Sequence, residues 1–374
     1  MERNILNIYT HEFAPKLGGI ATYCHEFSKA SVDLGYNTTV YSPKTSKAIS
    51  NRYTLQPQNW QGNHNPTSIY RASCFLRTHY QKGNASTHLL AEPGSILAYA
   101  LLPSTLRQLG TTHITVHGSE VQRWRKNSLA RRLANRAFET AHSINAVSDF
   151  VASIARDAFP DHTSKVRTVL NALPTSYLEK TPIQLPQNPD QDSEEIQLLS
   201  VGRLHPRKGF DQIIQALGKL PAASRNRIKY TILGGCKDNS YKAKLHALAK
   251  SLQINLSIQI DASDEVLDLA YRSADIFALT SMPYKQSVEG FGIVYLEAGF
   301  YGLPCIANDI GGVSQAVLNQ KTGLLAPTGD LETLAKNILY FIEDPKARLA
   351  YGANNQVHAL SHSWQEIVNE TLQK

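Results

Sequence analysis

Apolar positions along this chain fall into two recurring spacings. Short continuous runs of aliphatic and β-branched residues predict buried strands. Between them, apolar residues return every three or four positions, which predicts amphipathic helices. In the first half the strand runs lie at residues 5–9, 38–42, 88–91, 113–117, 143–147 and 166–170, with helices at 20–34 and 129–140 among those between them. In the second half the runs are 196–201, 229–233, 257–260, 276–279 and 304–308, separated by helices at 211–220, 242–252, 265–273 and 293–301. Strand and helix alternate throughout, the signature of doubly wound parallel sheets.

The alternation is interrupted once. Residues 181–195 read T-P-I-Q-L-P-Q-N-P-D-Q-D-S-E-E, a linker by composition. The expected organisation is a first domain at 1–180, a linker at 181–195, a second domain at 196–355, and a C-terminal helical stretch at 356–374 that packs back onto the first domain. A length of 374 residues suits two domains, each with its own core. Two such sheets facing each other would form one deep cleft, because open parallel sheets bind ligands at the carboxyl ends of their strands.

With 42% hydrophobic and 18% charged residues, the composition is that of a globular protein. The first residues read as a strand and not as the apolar core of a signal peptide, and no apolar stretch is long enough to span a bilayer. Cys24, Cys74, Cys236 and Cys305 are scattered, without metal-ligand spacing, as expected of free thiols in a reducing cytoplasm. The net charge of +7 favours an anionic partner. Many of the cations lie from Arg123 to Arg136, where helical spacing turns Leu129, Leu133 and Ala137 inward and Arg125, Arg132 and Arg136 outward. With Trp124 beside them, these residues suit an anionic membrane surface. No recognition helix, RNA-binding signature or zinc finger accompanies them, so nucleic acid is not an expected partner.

The most informative segment runs from Glu289 to Gly302, E-G-F-G-I-V-Y-L-E-A-G-F-Y-G. Gly290 and Gly292 allow a ligand close to the backbone. The amides of Phe291, Gly292 and Ile293 then open a helix whose positive end suits a phosphate. Glu297, about one turn into the helix, and Glu289, in the loop before it, are placed to accept hydrogen bonds from hydroxyls. A phosphate between two polyhydroxylated groups describes a nucleotide sugar.

Three further segments lie at strand ends. V-G-R-L-H-P-R-K-G, residues 201–209, supplies Arg203 and Lys208 to neutralise a diphosphate and a departing nucleotide. These cations could take the place of a divalent metal. K-L-G-G-I-A-T-Y, residues 16–23, places Gly18 and Gly19 before a helix; it is not the G-x-G-x-x-G fingerprint of dehydrogenases. T-V-H-G-S-E, residues 115–120, presents His117, a partner for a sugar hydroxyl. I-L-G-G-C, residues 232–236, adds Gly234 to the donor-side positions, and Gly311-Gly312 and Thr322-Gly323 punctuate the C-terminal part.

Taken together and in this order, these segments resemble retaining glycosyltransferase family 4, with its GT-B fold of two Rossmann-like domains. The likeness covers nearly the whole chain. It implies that Arg203 and Lys208 hold the donor diphosphate, Glu297 the ribose and Glu289 the donor sugar. Phe291, Gly292 and Ile293 would give amides to phosphate and sugar, Gly19 would lie near the phosphates, and His117 near the transferred sugar. It further implies transfer with retention, no metal or other cofactor, and acceptor binding by the first domain. Gln315, Ala172 and Cys236 depart from the family's usual Glu, Gly and Gly. The spelling M-P-Y-K-Q-S-V-E-G-F-G-I-V-Y-L-E-A is similar to that of bacterial members building lipid-linked glycans. A UDP- or GDP-hexose donor, a glycan or lipid-linked acceptor and a cytoplasmic enzyme at the inner membrane face are therefore the expectation. A non-hydrolysing sugar-nucleotide epimerase, or a nucleotide-sugar-binding protein without turnover, are the alternatives.

Overall fold

The computed structural model describes residues 4–15, 18–62, 64–82, 86–180, 195–236 and 238–373. Their apolar runs form two parallel sheets. The first contains β1 (Ile5–Tyr9), β2 (Asn37–Pro43), β3 (Thr54–Gln58), β4 (Thr87–Leu90), β5 (Thr111–Val116), β6 (Ser143–Ala146) and β7 (Val166–Thr168), in the order β3-β2-β1-β4-β5-β6-β7. The second contains β8 (Ile196–Val201), β9 (Ile228–Leu233), β10 (Asn255–Gln259), β11 (Ile276–Leu279), β12 (Cys305–Asp309) and β13 (Gly323–Pro327), in the order β10-β9-β8-β11-β12-β13. In each sheet the first strand lies inside and the order reverses beside it, between β1 and β4 and between β8 and β11. These are the topological switch points at which doubly wound sheets hold ligands.

The chain divides into two compact units, Met1–Thr175 with Ser363–Lys374, and Ser176–His362. The expected linker lies outside the described residues except for Glu195. The expected boundary between 355 and 356 cuts through the helix Pro345–Ala359, which stays with the second unit. That helix reaches the backbone of its neighbour Ile293–Phe300 through glycine. A Cβ on Gly299 would stand 2.7 Å from the Asn355 carbonyl oxygen, and one on Gly352 would stand 2.0 Å from that of Gly302. Asn355 seals the contact by donating to the Leu303 carbonyl at 2.8 Å.

Only the last helix, Trp364–Leu372, belongs to the first unit. It begins with a capping box between Ser363 and Glu366. Trp364 then enters the first core, donating to the Leu173 carbonyl at 2.9 Å and meeting Tyr23 edge to face. Leu6, Ile8, Val40 and Leu89 of the sheet and Phe27 of the helix Gly19–Asp33 complete that core. Among the described residues no helix is long and apolar enough to cross a membrane.

Candidate functional site

The second unit's site forms where β8 and β11 leave the sheet. After β8 the chain makes a single turn of 3-10 helix, Pro206–Lys208. The ring Nδ1 of His205 accepts the Arg207 amide at 3.1 Å, and Gly209 closes the turn at φ +68°. Only glycine fits there, since a Cβ would lie 1.9 Å from the Thr280 carbonyl oxygen. The turn is further tied to the loop after β11, where Met282 donates its amide to the Arg207 carbonyl at 2.7 Å and Thr280 donates its hydroxyl to the Gly209 carbonyl at 2.7 Å. This docking brings Arg207 and Lys208 to Glu289.

One oxygen of Glu289, Oε2, accepts from Lys208 Nζ at 2.7 Å, Arg207 Nη1 at 2.8 Å and Ser281 Oγ at 2.8 Å. The Lys208 and Glu289 side chains are each only 12% exposed, so these ions meet in a largely dry setting. Burial pushes the Glu289 carboxyl up, but the Lys208 and Arg207 cations outweigh it and hold the group well below the usual carboxylate range. Burial also draws the Lys208 ammonium down, against the pull of Glu289. Arg203, on the same loop, is exposed and makes no hydrogen bond or ion pair among the described residues. Three cations against one carboxylate leave a surplus of two positive charges on this loop, which matches a diphosphate bridge.

The Glu289 backbone is held from the other side. Gly312 donates its amide to the Glu289 carbonyl at 3.0 Å, and Gly311 sits beneath it at φ +61°. Beyond Glu289 the helix Ile293–Phe300 starts at Gly292, itself left-handed at φ +97°. Among the described residues the amides of Phe291, Gly292 and Ile293 have no acceptor, the state of a helix start open to an anion. Glu297, one turn on, lies apart from the Glu289 cluster in its contacts. It accepts the Tyr271 hydroxyl at 3.1 Å, and burial raises its carboxyl while that hydrogen bond opposes the rise. Tyr271 in turn stacks on Tyr301 at 5.0 Å, and Tyr301 is bonded to Asp268 and Lys180. Gly234 packs chain against chain: a Cβ there would stand 1.9 Å from the Gly202 carbonyl oxygen.

In the first unit, His117 follows β5. Its Nε2 lies 3.0 Å from the Ala91 carbonyl, which can only accept, so Nε2 carries the hydrogen and Nδ1 is left for another partner. Its ring meets Tyr23 edge to face. Glu120 binds the amides of His117 and Gly118, fixing the loop from below. Gly18 and Gly19 open the helix Gly19–Asp33, and a side chain at either would meet no atom within 4 Å, which leaves space in front of them. Lys16 of that segment lies outside the described residues.

The basic segment differs from its expected form. Asn127 caps a new helix by accepting the Ala130 amide at 3.0 Å, so the cations lie on two helices, Ser119–Lys126 and Ser128–Thr140. The buried face of the second is Ala134, Ala137 and Phe138, one position round from the expected one, so Leu129 is 67% exposed instead of inward. Trp124, expected at an interface, is buried against Phe138 and Phe159. Beside it opens a groove of about 750 Å³ lined by Arg125, Lys126, Arg131, Arg132 and Arg136, with Phe159 on its wall.

Arg207, Ser281, Tyr271 and Glu120 escaped the sequence reading. Arg207 stood inside a quoted motif, and Glu120 follows His117 at the spacing of a cap; Ser281 and Tyr271 carry no local signal.

Residues 183–358 match the family described as glycosyl transferases group 1, and residues 17–177 match glycosyltransferase family 4. The GDP-mannose-dependent alpha-(1-6)-phosphatidylinositol monomannoside mannosyltransferase of Mycolicibacterium smegmatis is 26% identical over 96% of this chain and 94% of its own. The D-inositol 3-phosphate glycosyltransferase of Rhodococcus jostii is 30% identical over 49% of this chain and 40% of its own. Among solved structures, sucrose-phosphate synthase from Thermosynechococcus elongatus superposes with a TM-score of 0.78 at 17% identity, over 98% of this chain and 97% of the other. Anabaena HepE in complex with UDP and glucose superposes with a TM-score of 0.76 at 18% identity, over 99% and 98%. With two glycosyltransferase families matched in tandem along its length and two parallel-sheet Rossmann-like domains, the chain is a GT-B glycosyltransferase of the family 4 type.

Proposed function

We propose that this enzyme transfers mannose from GDP-mannose to a lipid-linked acceptor, with retention at the anomeric carbon and without a metal ion. The observation that carries the proposal is the pairing of Arg207 and Lys208 with Glu289, with Arg203 unpaired on the same loop and the open amides of Phe291, Gly292 and Ile293 beyond. The choice of donor and acceptor is supported by full-length relatives named as GDP-mannose-dependent phosphatidylinositol monomannoside mannosyltransferases.

In this scheme the three cations and the helix-start amides take the diphosphate and stabilise its charge as the sugar leaves. Glu297, oriented by Tyr271, accepts from the ribose, and Glu289 accepts from the sugar. His117, Gly18 and Gly19 belong to the sugar and phosphate side of the first unit, which binds the acceptor. The bond from the anomeric carbon to phosphate oxygen breaks as the bond to the acceptor oxygen forms on the same face. The acceptor's proton passes to the departing phosphate. The basic groove around Arg125, Arg132 and Arg136, with exposed Leu129 at its side, holds the enzyme against anionic lipid.

A thermal-shift screen of GDP, UDP, ADP and their sugars tests the donor, because the tightest ligand raises the melting point most. GDP-mannose should lead. Transfer should survive EDTA and yield the α-linked product by NMR. A leading UDP-sugar would overturn the donor; loss of activity with EDTA would overturn the metal-free scheme.

A further inference from the structure

Glu297, the carboxylate assigned to the ribose, stands at the head of a chain of fixed aromatic rings. It lies on the helix Ile293–Phe300, and the Tyr271 hydroxyl donates to its Oε2 at 3.1 Å. Tyr271 has little freedom. Its ring is fully buried, stacked on Tyr301 with centroids 5.0 Å apart and planes within 3°, and on Phe277 at 6.1 Å. A phenol packed in this way delivers its hydroxyl to one place. Tyr301 is held in turn at its polar end. Its hydroxyl donates to Asp268 Oδ1, and Lys180 Nζ reaches that hydroxyl at 3.1 Å and the same Asp268 oxygen at 2.8 Å. Arg272 Nε donates to the other Asp268 oxygen at 2.6 Å.

Two of these anchors come from one short stretch, the residues with which the second unit begins. Tyr177, in the single helical turn Thr175–Leu178, is buried against Phe300 at 5.6 Å and Tyr301 at 6.0 Å, and its hydroxyl is hydrogen-bonded to the Glu297 carboxyl. The Lys180 ammonium lies 4.8 Å from the centre of the Tyr177 ring and 5.8 Å from that of Tyr301. Burial raises the Glu297 carboxyl, and the Tyr271 and Tyr177 hydroxyls, with the Lys180 charge after them, oppose the rise. Two hydroxyl donors leave a carboxylate with lone pairs to spare, so Glu297 is aimed without being used up. The ion cluster does little for stability by itself, because Lys180, Asp268 and Arg272 are all partly exposed. What it does is keep Tyr301, and through it Tyr271, in place.

We propose that Tyr177 and Lys180 are positioning residues of the donor site, which together with Tyr271 and Tyr301 set the direction in which Glu297 meets the ribose hydroxyls. Tyr177 acts through its own hydrogen bond to the carboxyl. Lys180 acts at one remove, by holding Asp268 and Tyr301 and so the ring of Tyr271. Released from these donors, the carboxylate would turn about its side-chain bonds and lose alignment with the hydroxyl it serves. The segment that enters the second unit is thus a working part of nucleoside recognition. The inference rests on the reading of Glu297 as the ribose acceptor.

The test compares GDP with 2′-deoxy-GDP and 3′-deoxy-GDP on the full-length enzyme by isothermal titration calorimetry. A carboxylate that accepts from a ribose hydroxyl penalises the analogue lacking it, so the parent should prefer GDP to at least one analogue by about tenfold or more. Glu297→Gln, which puts a neutral amide where the charge was, should erase most of that preference. Tyr177→Phe keeps the ring and Lys180→Met keeps the stem. Each should cut the preference by about threefold or more, while affinity for the deoxy analogue changes by less than about twofold. Lys180→Arg should keep the preference, and in transfer the KM for GDP-mannose should rise in Tyr177→Phe and Lys180→Met by more than kcat falls. A role in packing alone would weaken GDP and its analogues alike. That result, or an unchanged preference in Tyr177→Phe and Lys180→Met beside its loss in Glu297→Gln, overturns the inference. If the parent does not bind GDP, or Glu297→Gln keeps the parent's preference, the donor reading itself falls and the inference falls with it.

Discussion

Replacing Gly311 with alanine separates the cost of a backbone conformation from the cost of moving a functional side chain. Gly311 has φ +61°, and a Cβ there would lie 2.2 Å from the Glu289 carbonyl oxygen and 3.2 Å from its carbon. Alanine in this left-handed region costs about 1–2 kcal/mol by itself. Relief of the contact requires the Glu289 backbone to retreat by about 1 Å, which also breaks the hydrogen bond from the Gly312 amide. A displacement of that size at a positioning group costs on the order of a hundredfold in rate.

Gly329 supplies the control within the same unit. Its φ is +85°, and a Cβ there meets nothing within 4 Å, so Gly329→Ala carries the conformational penalty without the collision. Calorimetry of both variants, with steady-state sugar transfer at saturating donor and acceptor, gives the comparison. Both should melt lower than the parent, Gly311→Ala the more so, and only Gly311→Ala should lose turnover, by about a hundredfold. If the two variants melt alike and both turn over normally, the Gly311-Gly312 turn does not hold Glu289 for catalysis.

Three further outcomes follow from the structure. Lys208→Ala should lower kcat by roughly 10²–10³, the loss expected of one preorganised electrostatic contact, while circular dichroism stays unchanged; full turnover would remove Lys208 from the leaving-group role. Burial pushes His88 and His113 down to about 3, from 6.5. Their neutral forms thus contribute stability that is fully present above pH 6.5 and lost as pH falls towards 3, at roughly 1 kcal/mol per pH unit for each ring. His88→Phe should flatten the fall of Tm between pH 6.5 and 4, and an unchanged slope would refute this account. Sedimentation with vesicles should show Arg125→Ser/Arg132→Ser/Arg136→Ser losing binding to phosphatidylglycerol bilayers while neutral bilayers bind neither protein; equal binding of both proteins to the anionic bilayers would sink the membrane role.

Strands that are buried on both faces were legible because a central parallel strand must be apolar on both. The bounds of β1, β8 and β11 coincide with their apolar runs. The two strands missed from sequence lie at sheet edges. β3 reads T-L-Q-P-Q, and Pro57 is tolerated because only β2 pairs with it; β13 reads G-L-L-A-P and pairs only with β12. The helix Pro66–Lys82 also escaped, because its buried face mixes Ser68, Ala72, Leu76 and Tyr80 rather than showing an aliphatic stripe. In the site, Lys208 and Glu289 were legible as chemistry but not as a pair. Their contact spans 81 residues of chain, as does that of His11 with Glu92, and periodicity carries no information at that range.

The two sheets share one plan, with a carboxylate held by two basic side chains at each switch point, yet the hydrogen bonds divide the labour between them. Glu92 spends both oxygens on four protein donors and has none left for a ligand. Glu289 takes all three of its donors on Oε2, and among the described residues its Oε1 has no partner. A carboxylate held so firmly on one oxygen is fixed in direction and kept ionised, while the other oxygen stays open to a hydroxyl. Isosteric replacement should therefore separate them. Glu289→Gln keeps the shape but exchanges a pure acceptor for an amide, and should act directly on the donor sugar. Glu92→Gln should leave donor affinity alone. If Glu92→Gln instead weakened GDP-mannose binding as much as Glu289→Gln does, the two switch points would not be chemically distinct, and assigning one to each substrate would be wrong.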